Sequence, residues 1–196
     1  VWKKDIIVEQ SHFDPHRFVF AGHLLLKQGV QKILESMPSV VRKVQDATFL
    51  VIGGGEEEER LRQLAGRLGI AKHVAFTGWI RNQGEVKKLL AHCAFALAPY
   101  DPAGEHDTNF SYYADPTKIK TYLSCGLPVV MTSVPYNAGD LARRGCAVVV
   151  DYDEKAIAKA LTVLLTDTKK LEKMRRNAIE AAKEFTWEKI FDYVTY

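Results

Sequence analysis

Residues Phe18–Ile52, FVFAGHLLLKQGVQKILESMPSVVRKVQDATFLVI, contain two short apolar runs with a longer amphipathic segment between them. The runs Phe18–Ala21 and Thr48–Ile52 are rich in Phe, Val and Ile and are too short for helices, so they predict strands. In the segment between them, apolar residues recur at the spacing of one helix face, at Val30, Ile33, Leu34 and Met37. This order of strand, one-sided helix and strand predicts a βαβ unit.

The same alternation continues along the rest of the chain. Four further apolar runs predict strands at Val74–Phe76, Phe95–Ala98, Val129–Met131 and Ala147–Val150. Amphipathic stripes predict helices around Leu61–Leu68, Val86–Cys93 and Ile157–Leu164, and a final helix after Met174 anchored by Trp187 and Phe191. Uninterrupted apolar strands that alternate with such helices are typical of a parallel sheet with right-handed crossovers. We therefore predict an α/β fold: a Rossmann-like, doubly wound parallel sheet of about six strands with helices on both faces.

The composition is that of one globular domain. The 196 residues are 47% hydrophobic and 26% charged, which is typical of a folded soluble protein rather than a disordered one. The formal net charge is only +3 and Lys and Arg form no block, so nucleic acid is not an expected partner. No apolar run approaches the roughly 20 residues that a membrane-spanning helix needs.

The cysteines and the chain ends bear on the setting of the protein. Cys93, Cys125 and Cys146 stand among small or apolar residues and lack the Cys/His spacing of a zinc site. We expect buried free thiols in a reducing compartment, which favours a cytoplasmic location. The chain opens at Val1 with an extended, charged segment and ends within an apolar-periodic one. Both ends therefore read as internal points of a longer protein.

Loops at the carboxyl ends of the strands are where a doubly wound sheet binds ligands. Gly53-Gly54-Gly55 follows a strand, but Glu58 occupies the position where a dinucleotide-binding fingerprint has its third glycine. The carboxylates of Glu56–Glu59, in the predicted first helical turn, would also repel a pyrophosphate. We interpret this stretch as a strand-to-helix turn. Since no P-loop sequence occurs either, a nicotinamide dehydrogenase is not indicated.

The loop after the first strand carries two basic groups. Gly22 and Gly29 flank a turn that bears His23 and Lys27, and small residues let a ligand approach the backbone. Lys27 is either a phosphate ligand or a solvated surface lysine, and spacing alone does not choose between them.

A second cationic segment, Ala114–Tyr122, opens a short helix. Asp115 suits the N-cap and Pro116 the first helical position. The amides of Thr117 and Lys118 would then point from the positive end of the helix dipole, a place that suits a diphosphate. A well-capped structural helix accounts for the same residues equally well.

Two acidic stretches do not predict a metal site. Tyr100–Tyr113 is a long loop of the kind that is often functional or mobile, but nothing in it fixes a ligand geometry. Its candidate ligands are Asp101, Glu105, His106 and Asp107. Asp151-Tyr152-Asp153 matches a D-x-D pattern, yet it lies between a strand and a helix, where capping is the expected role.

The order of these motifs resembles one family. The runs FVFAGHLLLKQG, ATFLVIGGGEEEERL, HVAFTGWI, AFALAPY and DPTKIKTYLSCGLPVV are similar to the C-terminal, donor-binding domain of retaining GT-B glycosyltransferases of the group-1 type. The similarity extends from about Asp5 to the final helix. It implies an inter-domain linker at residues 1–17 and a nucleotide-sugar-binding Rossmann-like domain at 18–196. The acceptor-binding N-terminal domain would lie outside this chain and be its partner.

The resemblance implies a donor site for a nucleoside-diphosphate sugar (UDP-, GDP- or ADP-linked), with no tightly bound cofactor and no metal. The family's Gly-Arg and Lys-Gly pairs fall on Gly22-His23 and Gln28-Gly29, so both basic residues are replaced and Lys27 stands one residue early. The base-contacting segment falls on Gly78–Arg81, and the two glutamates of the family fall on Tyr113 and Thr121. Pro116 and Lys118 match a Pro-x-Lys variant in which the lysine is a diphosphate ligand. The implied donor-site residues are Gly22, His23, Lys27, Ile80, Arg81, Asp115, Pro116, Thr117, Lys118 and Thr121.

Three functions remain open from the sequence. The first is retaining transfer of a hexosyl group to a sugar, glycan or lipid-linked glycan held by the N-terminal domain. That domain would then supply the base and the acceptor residues, and this chain alone would be inactive. The second is a degenerate, non-catalytic module used for interaction or assembly, and the third is an epimerase or phosphorylase of the same fold. We expect a cytoplasmic protein, and its basic charge permits peripheral contact with a membrane.

Overall fold

Six parallel strands form one sheet in the computed structural model, which describes residues 6, 12–103, 117–186 and 188–189. The strands are β1 Arg17–Ala21, β2 Thr48–Ile52, β3 Val74–Phe76, β4 Phe95–Ala98, β5 Val129–Met131 and β6 Ala147–Val149. Their order, β3-β2-β1-β4-β5-β6, is that of a doubly wound Rossmann sheet. The predicted fold is confirmed, and each predicted strand is present to within one residue at either end.

Helices connect the strands and cover both faces of the sheet. Within the described residues they are α1 Val30–Lys43, α2 Glu58–Arg67, α3 Gln83–Ala91, α4 Thr117–Ser124, α5 Ala138–Arg143, α6 Glu154–Thr166 and α7 Thr168–Glu184. Short 3₁₀ helices lie at Leu26–Gln28 and Ala71–His73. Helices α1, α2 and α6 pack on one face, and α3, α4 and α5 pack on the other.

The strands read as continuous apolar runs because alternate side chains enter different cores. In β1, Phe18 and Phe20 lie in the core beneath α1, whereas Val19 lies in the opposite core. The ring of Phe18 stacks at 5.3 Å on the rings of both Phe49 and Phe95, which joins the three central strands on the first face.

The end of the chain differs from the prediction of one helix that begins after Met174. Helix α7 already begins at Thr168, with Asp167 Oδ1 accepting from Lys170 N at 2.9 Å, and it ends at Glu184. A turn follows at Phe185, and Thr186 Oγ1 accepts from Lys189 N, as an N-cap does for a new helical turn. The predicted anchors Trp187 and Phe191 lie outside the described residues.

The three cysteines are buried free thiols, as the sequence predicts. Burial raises the pKa of Cys93 to about 12 and that of Cys146 to about 11, so both are neutral and unreactive near neutral pH. None of the helices in the described ranges has the length and apolar character required to cross a membrane.

Candidate functional site

A crevice opens where β1 and β4 separate. Strand β1 pairs with β2 along its whole length, up to Ala21 opposite Ile52, but its pairing with β4 ends at Val19 opposite Ala96. The two neighbours of β1 are reached through helices on opposite faces of the sheet, which makes this the topological switch point. Ligands of doubly wound sheets bind at this place.

The hydroxyl of Tyr122 on α4 closes the bottom of the crevice. It accepts a hydrogen bond from Ala21 N at 2.7 Å and donates one to Ala21 O at 3.0 Å. If the pairing of β1 with β4 continued further, the backbone of β4 would form hydrogen bonds with these two groups. The ring is fully buried, and burial is the main cause of its raised phenol pKa, so the hydroxyl keeps its proton.

We predict that Tyr122→Phe lowers the free energy of unfolding by about 1–2 kcal/mol, because it leaves a partly buried amide and a partly buried carbonyl without their side-chain partner. Urea unfolding measures the change. Tyr136→Phe is the control, since Tyr136 is 61% exposed and should change stability by less than about 0.5 kcal/mol. Equal effects of the two substitutions would refute this role for Tyr122.

Glycines let the loops after β1 and β2 meet at the crevice. Gly53 has a φ of +126°, and a Cβ there would lie 2.0 Å from Gly22 O. A Cβ at Gly55 would lie 2.5 Å from Leu24 O. The predicted strand-to-helix turn is confirmed, although its acidic run is placed differently. Helix α2 begins at Glu58, so Glu57 is the N-cap residue and Glu56 precedes the helix.

The crevice deepens into a cleft of about 190 Å³ above Tyr122. One wall is apolar and consists of Ile52, Trp79, Ile80, Val86 and Leu90. The floor consists of Ala21, Gly22, Gly53 and Tyr122, and the polar side consists of Gln83, Thr117, Lys118 and Thr121. None of these described lining residues is acidic, so the cleft suits an anion with an apolar or planar group attached.

Lys118 supplies the positive charge of the cleft. Its Nζ lies 4.6 Å from the centre of the Phe20 ring and 5.0 Å from that of Tyr100, and it donates a hydrogen bond to Gln28 Oε1. Burial lowers the pKa of its ammonium to about 7. Among the described residues, two rings and a neutral amide surround the ammonium, and no carboxylate forms an ion pair with it. An incoming anion would provide the missing counter-charge.

The structure brings half of the sequence-predicted site residues together. Those that line the cleft are Gly22, Ile80, Thr117, Lys118 and Thr121. His23, Lys27 and Arg81 are exposed and are not among the lining residues. The imidazole of His23 instead lies edge-on to the Trp79 indole, with ring centres 6.3 Å apart. Asp115, Pro116 and the aligned Tyr113 lie outside the described residues.

Thr121 has only part of its hydrogen-bonding capacity available. Its hydroxyl donates to Thr117 O at 3.1 Å, one turn earlier in α4. Its oxygen can therefore still accept a hydrogen bond from a ligand but has no proton to donate.

Phe20, Tyr100 and Gln83 belong to the site but were not among the sequence candidates. Phe20 and Tyr100 lie against Lys118, and Gln83 lines the cleft together with Trp79 of the predicted base-contacting segment. A sequence signal existed for some of them, because Phe20 and Tyr100 stand at the carboxyl ends of β1 and β4. Gln28 aligns with a basic residue of the family, but its contact with Lys118, a side chain 90 positions away, was not foreseen.

One of the two acidic motifs, Asp151-Tyr152-Asp153, caps a helix. Asp153 Oδ1 accepts from Lys155 N at 3.0 Å and from Ala156 N at 2.9 Å, which confirms the predicted cap of α6. Among the described residues no three His, Cys, Asp or Glu side chains converge as metal ligands would. Glu105, His106 and Asp107 lie outside the described residues.

Comparison with known proteins identifies the family. Residues 15–167 match the family described as glycosyl transferases group 1. The chain belongs to this family. A GDP-mannose-dependent monoacylated α-(1-6)-phosphatidylinositol monomannoside mannosyltransferase of Corynebacterium glutamicum is 27% identical over 177 residues, which cover 85% of this chain and 42% of that protein. A GDP-mannose-dependent α-(1-6)-phosphatidylinositol monomannoside mannosyltransferase of Mycobacterium tuberculosis is 36% identical over 78 residues, 40% of this chain and 19% of that protein.

Solved structures show the same fold. The C-terminal domain of the group 1 glycosyl transferase LpcC from Francisella tularensis superposes with a TM-score of 0.69 at 19% identity, over 87% of this chain and 86% of that one. WaaG, a glycosyltransferase involved in lipopolysaccharide biosynthesis, gives a TM-score of 0.71 at 22% identity, over 92% of this chain and 45% of that one. This chain thus spans less than half the length of the curated relatives named above and corresponds in fold to a GT-B C-terminal domain.

Proposed function

We propose that this chain is the donor-binding half of a retaining glycosyltransferase and that its switch-point cleft binds a nucleoside-diphosphate sugar. The observation that supports this most strongly is the Lys118 ammonium, half-buried in a cleft whose described lining has no acidic residue. Residues 18–196 form the donor domain, residues 1–17 lead into it, and an N-terminal domain holds the acceptor.

The two sides of the cleft fit the two ends of a donor. The diphosphate would lie between Lys118 and the first turn of α4, where ammonium and helix dipole have the same sign. The base would pack on the apolar wall at Trp79 and Ile80, with the amide of Gln83 within the same lining. Charge that develops on the leaving diphosphate would be stabilised by Lys118, so the transfer is proposed to need neither a metal nor a tightly bound cofactor.

GDP-mannose is the proposed donor, because the relatives described above are named as GDP-mannose-dependent mannosyltransferases. Their names also specify phosphatidylinositol mannosides as acceptors. We therefore propose a lipid-linked glycan acceptor, a cytoplasmic location and peripheral contact of the whole protein with a membrane.

Titration calorimetry of the chain with GDP, UDP and ADP, and then with GDP-mannose, tests donor binding. We expect GDP and GDP-mannose to bind and UDP and ADP to bind more weakly. Failure of all four to bind would refute the donor site, and a preference for UDP or ADP would refute the assignment of the base while leaving the site intact.

A non-catalytic module is the second candidate, and two observations favour it. Neither His23 nor Lys27 is among the described lining residues of the cleft, and Thr121 stands where the family resemblance places a glutamate. Transfer of radiolabelled mannose from GDP-mannose to a lipid acceptor by the full-length protein decides between the two. Turnover would exclude the module.

A further inference from the structure

The 3₁₀ helix Leu26–Gln28 is fixed against the loop after β4. Gly29, which follows it, has a φ of +75°, and a Cβ there would lie 1.8 Å from Pro99 O. The backbone N of Asp101 donates to Lys27 O at 3.0 Å across the same contact. Gln28 is therefore held opposite Tyr100, with the Lys118 ammonium between them.

The chemistry of the contact fixes the orientation of the Gln28 amide. An ammonium only donates hydrogen bonds, so Gln28 must present its Oε1 to Lys118 and direct its Nε2 elsewhere. The acceptor is neutral, and it stands where the family resemblance places a lysine. Lys118 Nζ also lies close to Gly22, since a Cβ added at Gly22 would be 3.0 Å from this nitrogen.

The groups that face Lys118 carry no negative charge in the described part of the chain. Burial raises the pKa of Tyr100 to about 12 and raises that of Tyr122 further, so both phenols are neutral. Asp101, next to Tyr100, accepts from Ala103 N, and on α4 itself Lys120 lies over the Phe185 ring at 5.8 Å. A bond from a neutral amide therefore positions Lys118 without neutralising it.

We propose that Gln28 is a positioning residue for the donor diphosphate, which holds the Lys118 ammonium in the empty cleft and releases it to the phosphate oxygens. This inference rests on the proposed donor site. When the donor binds, the hydrogen-bond acceptor of Lys118 changes from the neutral Gln28 amide to a charged phosphate. Because the phosphate stabilises the ammonium form, molecules in which Lys118 was neutral take up a proton on binding. A carboxylate at position 28 would retain the ammonium and repel the diphosphate.

Two substitutions at position 28 test the proposal, because they should change proton uptake on binding in opposite directions. Gln28→Glu pairs Lys118 in the empty cleft, so we expect GDP-mannose affinity to fall roughly tenfold to a hundredfold and proton uptake on binding to disappear. Gln28→Met keeps the length but removes the acceptor, so we expect affinity to fall several-fold above neutral pH and proton uptake to increase. Calorimetry in buffers of different ionisation enthalpy measures both quantities.

Gln45→Glu is the control. Gln45 is exposed in the turn after α1, so this substitution adds the same charge far from the cleft. We expect this variant to match the wild type in affinity and proton uptake. If both Gln28 variants also match the wild type, Gln28 has no positioning role, while the donor site stands. If the wild type binds no GDP-mannose, the donor site and this inference both fail.

Discussion

Lys118→Met is expected to weaken GDP-mannose binding by about a hundredfold, because it removes the only cation that lines the described part of the cleft. Methionine keeps most of the length and packs against Phe20 and Tyr100, so the loss is one of charge rather than of volume. Titration calorimetry measures the affinity, and thermal unfolding verifies that the variant is folded.

Lys120→Met is the matched control for Lys118→Met. It removes the same charge from the same helix, but Lys120 lies over the Phe185 ring and not in the cleft lining. We expect the control to bind GDP-mannose within about twofold of the wild type. Equal losses in the two variants would show that general electrostatics, and not a contact by Lys118, supports binding.

The wild type should also show a pH dependence that Lys118→Met lacks. Burial lowers the pKa of Lys118 to about 7 in the empty cleft, and a bound diphosphate raises it. Affinity should therefore be greatest below about pH 7 and fall by up to about tenfold per unit above it, as binding requires ammonium. GDP-mannose suits this series, because its diphosphate diester does not titrate in this range. A flat profile in the wild type would contradict this account of Lys118.

Arg175→Ala is expected to lower the free energy of unfolding by about 3–5 kcal/mol. The guanidinium is 1% exposed, donates to Cys93 O and Ala94 O at 2.7 Å each, and lies 4.0 Å from the centre of the Phe13 ring. It thus joins α7 to the start of β4 and to the segment that leads into β1. Burial lowers its pKa only to about 10, so it stays charged at neutral pH.

Arg176→Ala is the control for Arg175→Ala. Arg176 is the next residue of α7 and is exposed, so the same truncation should cost less than about 0.5 kcal/mol. Urea unfolding followed by circular dichroism compares the two variants. A loss below about 1 kcal/mol in Arg175→Ala would show that its contacts do not stabilise the fold as described.

The fold could be predicted because each of its strands and helices has a hydrophobic pattern that lies within a short stretch of sequence. Each strand of a sheet covered on both faces is an apolar run, and each helix beside it has one apolar stripe. Phe18, Val19 and Phe20 illustrate this, since neighbours in sequence enter opposite cores and all must be apolar. Strand order does not follow from such runs, but the right-handed crossover rule limits it to few arrangements.

The site was less predictable because its contacts join distant parts of the chain. The loop order located the crevice and Lys118, but no pattern in sequence shows that Lys118 meets Gln28 or lies between Phe20 and Tyr100. His23 and Lys27 were predicted from their charge, their spacing and the family resemblance, yet both side chains are exposed outside the cleft lining. Where a side chain points depends on the turn that carries it, and the short 3₁₀ helix at Leu26–Gln28 was not foreseen.

A crystal structure of the protein with GDP-mannose bound tests the central claim most directly. We predict that the diphosphate lies at the switch point within hydrogen-bonding distance of Lys118 Nζ, with guanine against Trp79 and Ile80. The bond from Lys118 to Gln28 should be replaced by bonds to phosphate oxygens. A nucleotide bound elsewhere on the domain, or bound in the cleft with Lys118 still donating to Gln28, would contradict the account.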